Sequence, residues 1–123
     1  MEGERPKISV IVPVYNVEAY AERCLASLAA QTYPHVEVVM VDDASTDGGG
    51  RICDAWAARE EGFHVVHLQE NQGVSAARNE GSRRASGAYI AFVDSDDYVE
   101  PNLLERLYQA LTEGQGDVSV CGE

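Results

Sequence analysis

The sequence predicts an α/β fold of three layers, with helices on both faces of a mainly parallel sheet. Four short apolar segments rich in β-branched residues are each followed by a segment with helical periodicity. Segments that are apolar at nearly every position are typical of strands buried on both faces, as in parallel sheets. Helix-length connections between such strands produce right-handed crossovers. Because no linker or internal repeat interrupts this alternation, we expect one domain over residues 1–123.

Two strand–helix units fill the first half of the chain. Residues 8–14 predict the first strand, and residues 18–31 predict an alanine-rich amphipathic helix. Residues 36–41 predict a second buried strand, and the turn-rich residues 42–50 lead into a second helix. The residues expected on the buried faces are Tyr20, Cys24, Leu25 and Leu28 in the first helix, and Ile52, Ala55, Trp56 and Arg59 in the second.

The second half of the chain continues the alternation. Gly87 is expected to end the third helix, and Pro101 suits the first turn of the fourth. Because the chain stops at a strand without a closing helix, we expect it to be the front part of a longer protein. The elements predicted are, in order, a strand at residues 63–68, a helix at 74–85, a strand at 88–93, a helix carrying Leu103, Leu104, Leu107 and Leu111, and the beginning of a strand at 118–121.

The charge and the cysteine content exclude several classes of protein. The 123 residues contain 9 Lys and Arg against 21 Asp and Glu, a net charge of −12. A chain this acidic repels phosphate backbones and anionic lipid surfaces, so we expect no nucleic-acid partner. The 3 cysteines are odd in number and form no CxxC pair, which indicates buried thiols in a reducing compartment. The sequence contains no secretory signal and no transmembrane segment, and we therefore expect a cytoplasmic protein.

Acidic residues cluster at the expected carboxyl ends of the strands. In an open parallel sheet, ligands bind beyond these ends, at the point where the strand order reverses. In the common order 3-2-1-4, the loops after strands one, two and four surround a single crevice. These loops contain Pro13 and Tyr15, Asp42 and Asp43, and residues 94–97, respectively. We therefore expect four or five carboxylates and a tyrosine to converge there.

The clustered carboxylates predict a divalent metal ion. Like charges at close range raise each other's pKa unless a cation compensates, and carboxylate oxygens select hard ions such as Mg²⁺ or Mn²⁺. Asp94 and Asp96 project to the same side of an extended segment, so they are the first candidates for metal ligands. A helix cap or a solvated acid is the alternative, and it explains three acids within residues 94–97 poorly. For Asp42 and Asp43 both interpretations stay open.

For other polar residues near these loops, a purely structural role is an alternative to a role in binding. Tyr15 suits stacking on a planar ring, and it equally suits filling the seam between a loop and a helix. Arg78 lies in the first turns of a helix, where a guanidinium suits phosphate oxygens and where a surface ion pair is the alternative. Asp47, Ser45 and Thr46 fit turn and helix-start geometry. The 3 histidines show no metal-ligand spacing.

Beyond these single residues, an ordered set of motifs resembles family 2 of the nucleotide-sugar glycosyltransferases. The resemblance covers the chain from about residue 6 to its end. It implies a Rossmann-like sheet of the nucleotide-diphospho-sugar transferase fold. It also implies a nucleotide-diphospho-sugar donor, most commonly a UDP-sugar, and bound Mn²⁺ or Mg²⁺. The motifs are ISVIVPVYN at residues 8–16, QT at 31–32, VDDASTD at 41–47, NQG at 71–73, ARN at 77–79, GAYI at 87–90 and FVDSDD at 92–97.

The same resemblance implies roles for individual residues. The segment DSD at residues 94–96 would be the DXD motif of the family. The family transfers the sugar to an acceptor hydroxyl with inversion at the anomeric carbon. The residues implied are Pro13, Tyr15 and Asp43 for the nucleobase, Arg78 for the ribose or diphosphate, Asp94 and Ser95 for the ribose or sugar, and Asp96 together with Asp94 for the metal.

Other functions differ from this one in the residues they need. In the family, the general base lies further along than Glu123, so we expect the base and the site for a glycan or lipid-linked acceptor outside this chain. A non-catalytic nucleotide-sugar-binding fragment, completed by another segment or chain, shares every donor residue and stays open. A response-regulator receiver requires a late lysine, whereas Lys7 is the only lysine. A nucleotidyltransferase requires a glycine-rich basic loop after strand one, which is missing from the sequence.

Overall fold

Four parallel strands and four helices alternate along residues 5–112, the part of the chain that the computed structural model describes. The strands form one sheet in the order β3-β2-β1-β4, so the predicted order is confirmed. Within these residues, no helix is both long and apolar enough to cross a membrane. The elements are β1 (Ile8–Val14), α1 (Glu18–Ala29), β2 (Val36–Asp42), α2 (Gly49–Arg59), β3 (Phe63–His67), α3 (Val74–Arg84), β4 (Tyr89–Phe92) and α4 (Leu103–Thr112).

The two faces of the sheet are covered unequally. Helices α1, α2 and α4 pack on the face that carries Val10 and Val12. Helix α3 covers the other face, where Ala77 packs against Ile11. Successive side chains of a strand point to opposite faces, which explains why β1 is apolar nearly throughout. Helix α3 lies close to the sheet because residue 81 is glycine, and a Cβ atom there would collide with the Ile11 side chain.

The buried faces of α1 and α2 differ from the predicted ones. Tyr20 is 51% exposed, and Ala21 is buried in its place. The buried residues of α1 then follow the spacing i, i+3, i+4 and i+7 of a single helical stripe. In α2, two residues along the helix are separated by about 200°, so Cys53 and Ala55 cannot share a face. The α2 residues Ala55 and Arg59, predicted on the buried face, are exposed, whereas Cys53 and Trp56 are buried.

Two boundary predictions are wrong, while the others agree with the structure within two residues. Helix α3 ends before an extended Ala85, without help from Gly87. Gly87 instead allows two chain segments to approach closely, because a Cβ atom there would lie 2.6 Å from the Ser9 Oγ. Helix α4 begins at Leu103, and Pro101 precedes it in a turn. The strand predicted at residues 118–121 lies outside the described residues.

Candidate functional site

The loops that follow β1, β2 and β4 lie side by side at one edge of the sheet. Val14 pairs with Asp42 at the ends of β1 and β2, and Ile11 pairs with Phe92 at the end of β4. The Val93 N–H donates to the Ile11 carbonyl at 3.1 Å, which carries the pairing one residue further. Because β1 lies between the other two strands, the three loops are neighbours, as the strand order predicted.

Asp42 does not point towards the other carboxylates with which it was expected to converge. It ends β2 on the face covered by α2, and its side chain is buried. One carboxylate oxygen lies 2.7 Å from the His67 Nδ1, and the other accepts the Ser45 N–H at 3.0 Å. The expectation that Asp42 joins the acids after β4 is therefore wrong. Consecutive residues of a strand face opposite sides, so Asp42 and Asp43 cannot both enter one crevice.

His67 links the end of β3 to α2 through two carboxylates. Its Nε2 lies 2.7 Å from Asp54 Oδ1, and its Nδ1 lies 2.7 Å from Asp42 Oδ2. These hydrogen bonds, from Asp54 first and Asp42 second, raise the pKa of His67 above its ordinary value. The geometry assigns His67 a structural role at the sheet edge.

Asp43 is buried beneath the loop that leads into α3. One of its oxygens accepts the Gln72 N–H at 2.8 Å, and the other accepts the Gly73 N–H at 2.8 Å and the Asn71 Nδ2 at 3.0 Å. A carboxylate at the start of a helix is stabilised by the helix dipole and by otherwise unpaired N–H groups. Asp43 therefore caps α3 from a strand that is about 30 residues away in sequence.

Gly73 has the backbone conformation that this cap requires. Its φ is 98° and its ψ is 164°, a region that is essentially reserved for glycine. That conformation directs the Gly73 N–H towards Asp43. Residues 71–73 stand out in the sequence only as a motif, because their partner Asp43 is about 30 residues away, just after β2.

A network of hydrogen bonds joins the β1–α1 loop to the β2–α2 loop, and we call these the spliced loops (residues 15–18 and 43–49). Asp47 accepts from the first turns of both α1 and α2, which confirms its helix-start role. Tyr15 lies within this unit and is 46% exposed, whereas Pro13, at the end of β1, is half-buried. The bonds run from Asn16 N to Ser45 Oγ (3.2 Å), from Thr46 N to Asn16 Oδ1 (2.8 Å), from Glu18 N to Asp47 Oδ2 (3.0 Å), from Gly48 N to Glu18 Oε1 (2.9 Å) and from Gly49 N to Asp47 Oδ1 (2.8 Å).

The residues after β4 form an acidic turn (residues 94–97). The Asp97 N–H donates to the Asp94 carbonyl at 3.1 Å and closes the turn. Asp94, Asp96 and Asp97 each offer a carboxylate oxygen, and these oxygens lie within 4.8 Å of one another. Ligand oxygens on opposite sides of a Mg²⁺ ion are about 4.2 Å apart, so a shift of about half an ångström would bring all three oxygens onto a single ion. Asp96 is exposed, whereas Ser95 is buried inside the turn.

Asp97 was absent from the predicted ligand set. The pattern of alternating residues selected Asp94 and Asp96, because it assumes an extended segment. The chain turns at this point, and a turn brings its first and last residues together. The run of three acids in residues 94–97 was the signal that indicated a third ligand.

Arg78 of α3 reaches across to the acidic turn. Its Nη2 lies 3.4 Å from Asp94 Oδ1, and its guanidinium lies 5.6 Å from the centre of the Phe92 ring. The Nε of Arg78 is buried and has no hydrogen-bond partner among the described residues. A buried N–H donor without an acceptor is uncommon in native proteins, and an anionic oxygen from a ligand would satisfy it.

Cys24 of α1 lies beneath the acidic turn. It is buried, as predicted, and its thiol donates to the Asp94 carbonyl at 3.6 Å. Burial first, and then the charges of Asp97, Asp96 and Asp94, raise the pKa of Cys24 to about 12. The thiol is therefore neutral at pH 7, and its raised pKa reflects the negative potential of the turn.

Comparison with known proteins gives one family for nearly the whole chain. The model of glycosyl transferase family 2 matches residues 9–122. The chain is 48% identical over 114 residues to the glycosyltransferase GlyA of Streptococcus pneumoniae, which is 93% of this chain and 16% of GlyA. The chain therefore spans about a sixth of that relative's length.

Two solved structures share the fold. S. aureus TarS (residues 1–349), solved with UDP-GlcNAc, superposes with a TM-score of 0.82 at 38% identity, over 89% of this chain and 32% of the TarS chain. The mannosyltransferase PcManGT of Pyrobaculum calidifontis, solved with GDP-Man and Mn²⁺, superposes with a TM-score of 0.75 at 31% identity, over 94% of this chain and 34% of that one. These matches confirm the resemblance of the motifs and the predicted fold: the chain has the parallel α/β sheet of these transferase structures and belongs to glycosyltransferase family 2.

Proposed function

We propose that this chain is the donor-binding and metal-binding part of an inverting glycosyltransferase, and that its donor is a UDP-sugar. The observation that carries the proposal is the acidic turn beside Arg78. Three carboxylates offer oxygens within 4.8 Å of one another, next to a guanidinium with an unsatisfied buried N–H. A metal ion bound to a diphosphate presents the charges that complement both groups.

Asp94, Asp96 and Asp97 are the residues that would hold Mn²⁺ or Mg²⁺. All of their ligand atoms are hard oxygens, which suits both ions. Without a cation, a unit negative charge and a carboxylate repel by about 4 kcal/mol at 4 Å and an effective dielectric of 20. A bound divalent ion reverses this repulsion and stabilises the charge that develops on the leaving diphosphate. The mannosyltransferase solved with GDP-Man and Mn²⁺ supports this assignment.

The spliced loops and the cap of α3 are proposed to hold the nucleobase. Tyr15 offers an exposed ring for stacking, and Pro13 lies two residues before it at the end of β1. An ionised carboxylate has about four acceptor positions, of which the described donors to Asp43 occupy three. The remaining position suits a base N–H, such as that of uracil. The TarS structure with UDP-GlcNAc supports a uridine donor, and PcManGT makes GDP-mannose the second donor to test.

Arg78 is proposed to bind the diphosphate and to orient it against the acidic turn. Its weak contact with Asp94 is long enough, at 3.4 Å, for a phosphate oxygen to replace it. Asp94 and Ser95 are then closest to the ribose or sugar, which stays a prediction. We propose that the general base and the acceptor site come from another segment or chain, and we propose transfer to a glycan or lipid-linked hydroxyl only for that complete enzyme.

Binding of Mn²⁺ and UDP to the chain tests the donor site. We expect Mn²⁺ titrated alone, followed by electron paramagnetic resonance, to bind wild-type protein and to bind Asp96→Asn at least about tenfold more weakly. Glu61→Gln is the matched control, because it removes the same charge from an exposed residue before β3, at the opposite end of the sheet. Equal Mn²⁺ affinity in wild type and Asp96→Asn would refute the metal assignment.

Hydrolysis of the donor tests whether the chain carries out chemistry. In an inverting enzyme, water attacks from the face opposite the leaving diphosphate, so a UDP-α-sugar first releases the β-anomer. Proton NMR of freshly released sugar distinguishes the two anomers before they equilibrate. Binding of UDP with Mn²⁺ and no hydrolysis would instead favour the non-catalytic fragment, while release of the α-anomer would exclude inversion.

A further inference from the structure

We propose that Ser27 of α1 and Gln31, just after α1, are positioning residues that fix the geometry of the acidic turn and thereby raise its affinity for the metal. This inference rests on the proposed metal site. It assigns a function to a motif residue, Gln31, for which the donor site itself has no use. It also explains how three like charges are kept together in a segment without regular secondary structure.

The segment between β4 and α4 is tied to α1 at three levels. The Cys24 thiol donates to the Asp94 carbonyl at 3.6 Å, where the acidic turn begins. The Ser27 Oγ accepts the Val99 N–H at 3.1 Å, just beyond the turn. Gln31 contacts the segment at its end, before α4. Residues 24 and 27 lie one turn apart on the same side of α1, and Gln31 follows just after the helix ends.

Ser27 is held in place by its second hydrogen bond. Its hydroxyl donates to the Cys24 carbonyl at 2.7 Å, so its lone pair is free to accept the Val99 N–H. The Val99 side chain is buried in the core, which anchors the same residue by packing. Without Ser27, this half-buried backbone N–H would lack its acceptor, which is unfavourable away from water.

Gln31 uses both ends of its amide. The Nε2 donates to the Glu100 carbonyl at 2.7 Å, and the Oε1 accepts the Leu104 N–H at 3.0 Å. Leu104 is the second residue of α4, so its N–H is one of the groups that the helix itself cannot satisfy. Gln31 therefore caps α4 and, through the same side-chain amide, also binds the end of the segment that precedes this helix.

These ties matter because the acidic turn opposes its own geometry. Its carboxylates repel one another at the separations that the structure shows, so a free loop would spread them apart. Because contacts with α1 fix the backbone, the repulsion between the carboxylates is overcome when the chain folds, before the metal binds. The affinity for the ion then gains from pre-organisation, as it does when groups behind the ligands orient them.

Metal affinity measured on folded protein separates positioning from simple stability. We expect Ser27→Ala and Gln31→Ala to bind Mn²⁺ alone about tenfold more weakly than wild type, measured by electron paramagnetic resonance well below the unfolding temperature. Thr32→Ala is the matched control, because Thr32 donates to Glu105 of α4 at 2.7 Å and lies outside the acidic segment. Its Mn²⁺ affinity should equal that of wild type.

Two conservative variants and one double variant test the positioning role further. Ser27→Thr keeps the hydroxyl and should restore the Mn²⁺ affinity. Gln31→Glu keeps the acceptor for the Leu104 N–H but loses the donor to the Glu100 carbonyl. In Asp96→Asn, adding Ser27→Ala should cause no further loss.

The possible failures are distinguishable. Wild-type protein that does not bind Mn²⁺ would overturn the proposed metal site itself. Wild-type binding that Ser27→Ala and Gln31→Ala leave unchanged would overturn the positioning role alone. Loss of Mn²⁺ affinity in Thr32→Ala equal to the loss in Ser27→Ala and Gln31→Ala would show a general structural defect and would also contradict positioning.

Discussion

Two groups of aspartates lie at the ends of β2 and β4 in the same sheet, and their surroundings differ. Asp42 and Asp43, at the end of β2, are buried and engaged by the protein's own donors. The acidic turn after β4 brings oxygens of three carboxylates within 4.8 Å of one another, with Arg78 beside Asp94. The residue type is the same in both places, so the difference comes from the donors that the fold delivers.

This contrast shows that an acidic residue at a strand end is a weaker candidate ligand where the fold supplies it with internal donors. Asp43 meets two backbone N–H groups and an amide from the loop before α3. The segment that carries the acidic turn is held to α1 through its own backbone atoms, at the Asp94 carbonyl and the Val99 N–H. Each of the following experiments changes one side of the comparison, from the largest expected effect to the smallest.

Removing Asp43 should affect stability most. Asp43→Ala leaves the N–H groups of Gln72 and Gly73 without their acceptor, and we expect the free energy of unfolding to fall by about 3 kcal/mol. Urea denaturation in the absence of metal measures the change. Asp96→Ala is the comparison variant and should lose less than about 0.5 kcal/mol. Similar losses in the two variants would erase the distinction between the aspartates.

Adding metal should reverse the ranking. At a Mn²⁺ concentration of about 100 times its dissociation constant, the wild type should gain about 2.7 kcal/mol in unfolding free energy. Asp96→Asn should gain almost nothing at the same concentration, because its ligand set is incomplete. Thermal unfolding with and without Mn²⁺ measures both gains. A full gain in Asp96→Asn would place the ion elsewhere.

Relaxing the loop after Asp43 should stabilise the chain modestly. Ala44 has a φ of 61°, a conformation that costs a non-glycine residue about 1–2 kcal/mol. Ala44→Gly removes this strain but loosens the unfolded chain, so we expect a net gain of about 0.5–1 kcal/mol. Ala58→Gly, at an exposed position within α2, should show the opposite sign. Destabilisation by both substitutions would mean that the loop is unstrained.

The Asp42 side should show a small dependence on pH through His67. Its folded pKa lies above the ordinary value of 6.5, so its stabilising contribution is complete below that pH and is lost as the pH rises through the folded pKa. Because His67 is 43% exposed, we expect only about 0.5 kcal/mol. The stability difference between wild type and His67→Gln should therefore be larger near about pH 6 than near about pH 9. An equal difference at both pH values would contradict this.

The sheet was predictable because its signals are local. Apolar runs, helix-length spacers and the common strand order placed the β1, β2 and β4 loops together before any coordinates existed. The helix faces were less certain, since Tyr20 and Ala21 differ by a single step of 100° around the axis. Asp42 and Asp43 point to opposite sides because side chains alternate along a strand, and β2 continues to Asp42.

The supports of the candidate site were not predictable from the sequence. Ser27 and Val99 are 72 residues apart, and Gln31 and Leu104 are 73 apart. Asp43 and Gly73 are separated by 30 residues. Such contacts depend on the angle at which a helix crosses the sheet, which no short motif encodes. Residue types select the candidate ligands, while tertiary packing selects those that remain available.

The spliced loops have a consequence for motion. Their hydrogen bonds connect residues about 30 positions apart, so neither loop can open without breaking contacts with the other. Amide hydrogen exchange at residues 16, 18, 46 and 48 should therefore rise and fall as one cooperative unit. Tyr15 and Asp43 would then approach the proposed nucleobase as parts of a single rigid unit.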